Sequence, residues 1–485
     1  MEKAILCLLI AVLALSSCGG HKDKKNDHGH REGHDHGRGR EEGHDHGRGS
    51  GEGHDHGRGR EEGHDHGRGR EEGHDHGRGS GEGHEGGRGH GHGRGHGHGH
   101  GHGHGHRRCN STTMKLVRPN GMFAFSLYKQ IVSHAKYQDE NVFFSPLSLS
   151  VALAALTLGA GGETYEALLD GLAFNKSDIT EEGVHEGFHD ILQNINKQQG
   201  IDLKSGSALF VSDAFKPKTA FLEDMKTFYL SDGFTTDFTK NAEAAKMIND
   251  YVKNGTNGKI SNLVDQLDPA TVMYLVSYIY FKGKWEVPFN PKLTTDGLFK
   301  VNDKTSVPVK MMRKKQKYDV YYDKEVSTTV LRLPYTKSVS MMLLLPDKDL
   351  TGLEDVVCPE HVAKWNRWMK EREALVSIPK LSIKTSYSLR SLLSGMGMAN
   401  IFSNSANFSG IADDPVLVSE VIQKATLDID EAGSTATAAT GVVLMPTSLR
   451  SFETITFDRP FMVLISNRDT RSILFLGKVV NPATK

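Results

Sequence analysis

The stretch Val272-Met-Tyr-Leu-Val-Ser-Tyr-Ile-Tyr-Phe281 is apolar at nearly every position. A strand with one wet face alternates polar and apolar residues; a run without alternation needs cover on both faces. It therefore reads as a central strand buried inside a large body. Other segments supply the cover. Phe123, Leu127 and Ile131 fall on one face of a helix at i, i+4, i+8. Ser145-Pro146 reads as a helix start, with Ser at the cap and Pro at the first position. Ala245, Ile248 and Val252 mark another helix, closed by Asn254-Gly-Thr-Asn-Gly258. Ser340 to Leu345 reads as a strand, and Phe461–Ile465 with Ser472–Val479 as a terminal hairpin around Asn467-Arg-Asp-Thr470. Helices dominate early and strands late, so the expectation is one mixed α+β domain over 109–485.

The rest of the chain is different. Residues 1–18 hold an apolar run, Ala4 to Leu15, followed by small residues, and read as a secretory signal peptide too short for a membrane span. Residues 19–108 are a low-complexity tail holding 22 of the chain's 26 histidines. With almost no apolar side chains it cannot offset its ordering entropy by burial, and it is expected to be disordered. Gly-His-Asp-His-Gly-Arg-Gly recurs every ten residues, giving the pairs His34 and His36, His44 and His46, His54 and His56, His64 and His66, and His74 and His76. A Gly-His alternation adds His96, His98, His100, His102, His104 and His106. Imidazoles on a glycine backbone, with an aspartate between each pair, suit Zn, Ni or Cu. Two other readings stay open: an arm that becomes cationic near pH 6 and binds heparin-like glycosaminoglycans, and repeat expansion in a tolerant tail.

The formal net charge of −1 gives no push toward nucleic acid. Cys109 and Cys358, outside the signal, are too few for a disulfide framework and leave pairing or free thiols open. Sequons at Asn110, Asn175, Asn254 and Asn407 fit a secreted glycoprotein. One more stretch stands out. From Ala432 to Gly441 no residue is larger than Thr. It is too β-branched for a good helix and too Gly-flanked for an ordinary strand.

From about residue 115 onward the chain resembles a serpin, similar to the α1-antitrypsin and antichymotrypsin group. The matching stretches are Asn141-Val-Phe-Phe-Ser-Pro-Leu-Ser148, Ile248-Asn-Asp-Tyr-Val-Lys253, Phe281-Lys-Gly-Lys-Trp285, Ile378-Pro-Lys-Leu-Ser382, Phe457-Asp-Arg-Pro-Phe461 and Phe475-Leu-Gly-Lys-Val-Val-Asn-Pro482. The resemblance implies a serpin-like fold: a large central antiparallel sheet, surrounding helices and an exposed reactive loop, here about 431–456. It also implies a monomer without catalytic residues or a required cofactor, whose partner is a target serine protease. In such proteins the cleaved loop inserts into the sheet as an added strand, which gives the small-residue run a purpose. Glu431, Gly433, Ser434, Ala436, Ala438 and Ala439 would form the hinge; Ser434, Ala436, Ala438 and Thr440 would share one face on insertion. Counting the usual loop length places the bait bond at Thr447-Ser448. The segment that follows is slightly longer than in the α1-antitrypsin group, so Met445, Leu449 and Arg450 remain alternatives. Ser145, Ser148, Ser277 and Gln423 match the region where the sheet parts. There the family's usual Asn and His are replaced by Ser277 and Gln423, which cannot titrate. Lys380, Glu431 and Trp285 match the top of the sheet, where the first two would form a salt bridge.

Two motifs compete for attention. His185-Glu-Gly-Phe-His189 fits the H-E-x-x-H pattern of zinc proteases, but no third ligand follows. These histidines are expected to be solvated or partly packed. Arg313-Lys-Lys315 with Lys317 is a basic cluster, read as a solvated face or a glycosaminoglycan contact. Three function classes result: a protease inhibitor, a non-inhibitory carrier of a small ligand, and a secreted metal carrier.

Overall fold

The computed structural model describes residues 111–197, 201–336, 338–432 and 452–484. The hinge residues Gly433, Ser434, Ala436, Ala438 and Ala439, the bait positions from Met445 to Arg450, the tail histidines and Asn110 lie outside the described residues.

The helices used below are α1 (Ser111–Ser133), α2 (Pro146–Thr157), α3 (Gly162–Gly171), α4 (Glu181–Asn196), α5 (Thr219–Tyr229), α6 (Asn241–Gly255), α7 (Thr351–Val356) and α8 (Pro359–Trp368). Phe123, Leu127 and Ile131 of α1 are fully buried, as their spacing requires. Ser145 caps α2: its backbone is extended, its Oγ accepts the Ser148 N–H at 3.1 Å, and Pro146 follows. Every residue of α2 is buried. A helix apolar all round belongs in a core, and α2 packs on strands of both sheets. At the end of α6, Asn257 and Gly258 take positive φ (52° and 76°) and turn the chain, where the sequence places the stop.

The strands in chain order are β1 (Val142–Phe144), β2 (Ile201–Ser212), β3 (Asp232–Thr236), β4 (Met273–Gly283), β5 (Thr295–Lys300), β6 (Ser306–Asp323) and β7 (Thr328–Pro334). They continue with β8 (Val339–Pro346), β9 (Lys370–Pro379), β10 (Leu381–Ser388), β11 (Val418–Ile429), β12 (Glu453–Thr456), β13 (Phe461–Asn467) and β14 (Ile473–Val479). One sheet has the order β1-β14-β13-β8-β7-β6-β9-β12, with β5 added on β6. The other has the order β10-β11-β4-β2-β3. In β4 every residue from Met273 to Phe281 is buried, so the both-face reading holds. The terminal hairpin is β13 and β14, turned by Asn467, whose Oδ1 accepts the Asp469 and Thr470 N–H groups.

The five-stranded sheet is mixed in direction: β4–β11 and β2–β3 are parallel, β2–β4 and β10–β11 antiparallel. The physical reason lies in the connection. Between β4 and β11 the chain runs through most of the other sheet, and a parallel neighbour is reached only by such a long crossover.

The seam between β1 and β14 tolerates no side chain at Gly477. A Cβ there would lie 2.0 Å from the Val142 carbonyl oxygen. Gly477→Ala should force β1 away from β14 and lower stability by about 1–3 kcal/mol. Urea unfolding should show a lower midpoint, with the secondary structure retained in the absence of urea.

Candidate functional site

The site is the seam between β4 and β11 and the turn that follows β11. The register sets Ser277 of β4 beside Gln423 of β11. Both are fully buried, as is Ser145, and Ser148 is nearly so. Ser277 Oγ lies 2.6 Å from Ser148 Oγ. The Gln423 amide reaches Ser277 Oγ only at 3.4 Å; its main partner is the backbone of Ser145. Gln423 Oε1 accepts the Ser145 N–H at 2.9 Å, and Nε2 donates to the Ser145 carbonyl at 2.9 Å. A primary amide presents one donor and one acceptor side by side, so it pairs with a peptide unit as another peptide would. The residue that caps α2 is thereby tied to β11. β1, which ends one residue earlier, is tied to β10: Tyr387 OH accepts the Phe143 N–H at 3.1 Å, and Thr385 Oγ1 donates to the Phe143 carbonyl. The sequence singles out Ser145, Ser148, Ser277 and Gln423, and the fold brings all four together. It gives no signal for Tyr387 or Thr385, whose partners lie more than two hundred residues away.

Beyond β11 the chain turns at Asp430-Glu431-Ala432. Lys380 Nζ lies 2.6 Å from Glu431 Oε2, and Thr294 Oγ1 donates to Oε1 at 2.8 Å. Trp285 Nε1 donates to the Asp430 carbonyl at 2.9 Å, and the Phe289 N–H to the Glu431 carbonyl at 2.8 Å. The Trp285 ring stacks on Tyr335 with centroids 4.3 Å apart. Burial by itself pushes the Glu431 carboxyl up; the hydrogen bonds from Lys380 and Thr294 outweigh it and hold the group below its ordinary range. Sequence reading finds Lys380, Glu431 and Trp285, but not Thr294, Phe289 or Tyr335.

Other candidates fall elsewhere. His185 goes further than the expected solvated or partly packed histidine: it is buried, with Nδ1 2.5 Å from Tyr229 OH. Burial pulls its pKa down, against the pull of Glu181 and Asp224. The cause is the neighbouring helix α5, which the α4 sequence cannot announce. His189 is half-buried. Among the described residues no cluster of three or more His, Cys, Asp or Glu could hold a metal ion. In the basic cluster, Lys315 pairs with Glu373 at 3.6 Å and Lys317 with Glu371 at 3.0 Å across the β6–β9 ladder, so much of its charge is matched locally. Asn175, Asn254 and Asn407 are exposed. Cys358 is buried at the cap of α8, with Sγ 3.2 Å from His361 Nδ1.

Two tests address this geometry. Gln423→Leu strands the buried Ser145 N–H and removes one of the donors to its carbonyl, at a cost of roughly 2 kcal/mol read from urea unfolding. For Glu431 the depressed pKa means stabilisation that is complete above the ordinary carboxylate range and fades as pH falls through the lowered value. Trp285 fluorescence should therefore change on acidification below about pH 4.5, and Glu431→Gln should remove that transition.

The family model described as "Serpin (serine protease inhibitor)" matches residues 118–482. Alpha-1-antiproteinase of Callosciurus caniceps is 41% identical over 370 residues, covering 76% of this chain and 89% of that protein. Alpha-1-antiproteinase of Rattus norvegicus is 41% identical over 363 residues, covering 74% and 87%. The crystal structure of human thyroxine-binding globulin with thyroxine superposes with a TM-score of 0.72 at 37% identity, covering 77% of this chain and all of that one. With the match spanning both sheets, the seam and the turn, the chain belongs to the serpin family, in the group similar to the α1-antiproteinases.

Proposed function

We propose that the chain is a secreted inhibitor of serine proteases that traps its target by loop cleavage and insertion. One observation carries this reading: β4 and β11 are parallel neighbours, and β11 leads directly into the turn at Glu431. A segment folding back from that turn runs antiparallel to β11 and, in the seam, antiparallel to β4 as well. Both new ladders are then of the better-aligned antiparallel kind. The small residues after Ala432 suit that route, because one face of the new strand must be buried as it enters. The chain's own contribution is a bait bond, a hinge and a closed sheet. Glu431, Lys380 and Trp285 hold the turn until cleavage, and the Gln423–Ser145 pairing holds the seam below it. Thr447-Ser448 is the proposed bait bond, with Met445, Leu449 and Arg450 as the alternatives to map.

A second reading is a carrier role, supported by the likeness to thyroxine-binding globulin and by the Ser277–Gln423 departure at the seam. The histidine-rich tail is proposed to bind Zn, Ni or Cu in either case, and the sequons to carry glycans. A glycosaminoglycan contact at the tail below pH 6 is part of the proposal; the folded basic cluster offers less, since Lys315 and Lys317 have carboxylate partners.

Incubation with trypsin, chymotrypsin and an elastase should give a denaturant-stable adduct with one of them, and the released C-terminal peptide should begin just after the bait bond. Cleavage by all three with no adduct favours the carrier reading. Ala436→Arg should abolish the adduct while leaving the loop cleavable, since an arginine entering the sheet would have to be buried. Deletion of residues 21–108 should remove most of the high-capacity zinc or nickel binding, measured by equilibrium dialysis, without changing adduct formation.

A further inference from the structure

Strand β2 is paired along its whole length on one side only. β4 flanks it from Ile201 to Val211, but β3 joins it only from Ala208 to Ser212. The first half of β2 is therefore a free sheet edge, where residues from both faces of the strand border the same space. That space is a cleft of about 290 Å³ between this edge, the end of α4 and the β13–β14 hairpin. Its volume is near the lower end of the range for small-molecule sites. Leu203 and Leu474 supply apolar wall; Lys204, Ser205 and Asn196 supply polar groups. Asn467 also lines the cleft but is already committed: its Oδ1 accepts two turn N–H groups, and its Nδ2 faces Asn194. Lys204 is half-buried, and among the described residues it has no carboxylate within ion-pair distance. The side chains of Ser205 and Asn196 likewise have no hydrogen-bond partner among the described residues. No Asp or Glu among the described residues lines the cleft.

We propose that this cleft is a binding site for a small organic monocarboxylate with a compact apolar body. One ammonium group matches one negative charge; an anion of higher charge would leave part of it without a partner. The carboxylate takes a charge-assisted hydrogen bond from Lys204, with the Ser205 hydroxyl and the Asn196 amide as further donors. The apolar body lies on Leu203 and Leu474, and both surfaces give up water. The free edge of β2 is what makes this possible. Were β3 to continue along it, a strand would fill the space. The inference is independent of the inhibitory reading: it rests on the cleft and not on loop insertion.

The test titrates the full chain into para-fluorophenylacetate and reads affinity from fluorine NMR line broadening. The companion probe is para-fluorophenylacetamide, which keeps the body and loses the charge. The acid should bind about tenfold more tightly than the amide, and Lys204→Gln should remove that difference. Lys226→Gln, at an exposed lysine of α5, should leave it unchanged. Ser205→Trp, which fills the cleft, should abolish the broadening of both probes. Urea midpoints equal to that of the unaltered chain show that the variants are folded. Equal binding of acid and amide overturns the proposal, as does the absence of binding at millimolar concentration. So does a preference for the acid that survives Lys204→Gln, because the cations of the tail, not the cleft, would then hold the carboxylate.

Discussion

The parallel strands β4 and β11 pair through their backbone ladder, and side chains beneath it tie each of them to the start of α2. Gln423 pairs its amide with the peptide of Ser145, the residue that also caps α2. Three things meet at that point: the start of a fully buried helix, the end of β1 and the middle of the β4–β11 seam. A helix apolar on all sides has no preferred rotation of its own, so its placement depends on polar contacts at its ends. The cap at Ser145 and the Ser148–Ser277 hydroxyl contact provide them. All of these groups are uncharged, so these contacts carry no titratable group.

The top of the sheet is built on a different principle. There the contacts are charged or aromatic: Lys380 with Glu431, Trp285 stacked on Tyr335, and backbone carbonyls of Asp430 and Glu431 taken up by Trp285 and Phe289. Lys314 of β6 stands beside the same Phe289, its Nζ 5.8 Å from the ring centre. The seam and the turn therefore respond to different conditions. Proton concentration acts on the Lys380–Glu431 pair and not on the Gln423–Ser145 pairing.

Elements with strong periodicity are legible in the sequence. The α1 face, the Ser145 cap, the both-face strand at β4 and the closing hairpin all rest on local rules: spacing, capping and turn chemistry within a few residues. The seam residues are legible only through resemblance, because nothing local marks Ser277 or Gln423 as special. The burial of His185 escapes a sequence reading for the same reason: the helix that covers it follows some thirty residues later, and an i, i+4 histidine pair looks alike wet or dry.

What the sequence determined by itself is the inventory: a tail without the apolar content to bury, a domain with a both-face strand at its centre, and a run of small residues after Glu431. Those follow from composition and period, which are properties of neighbouring residues. What the tertiary structure decided is pairing. It put Gln423 against the peptide of Ser145, 278 residues away, made β4 and β11 parallel, and set Lys314 beside the Phe289 ring while its strand neighbours met carboxylates. Such outcomes depend on which distant surfaces meet and how much water they exclude, and no local pattern encodes either.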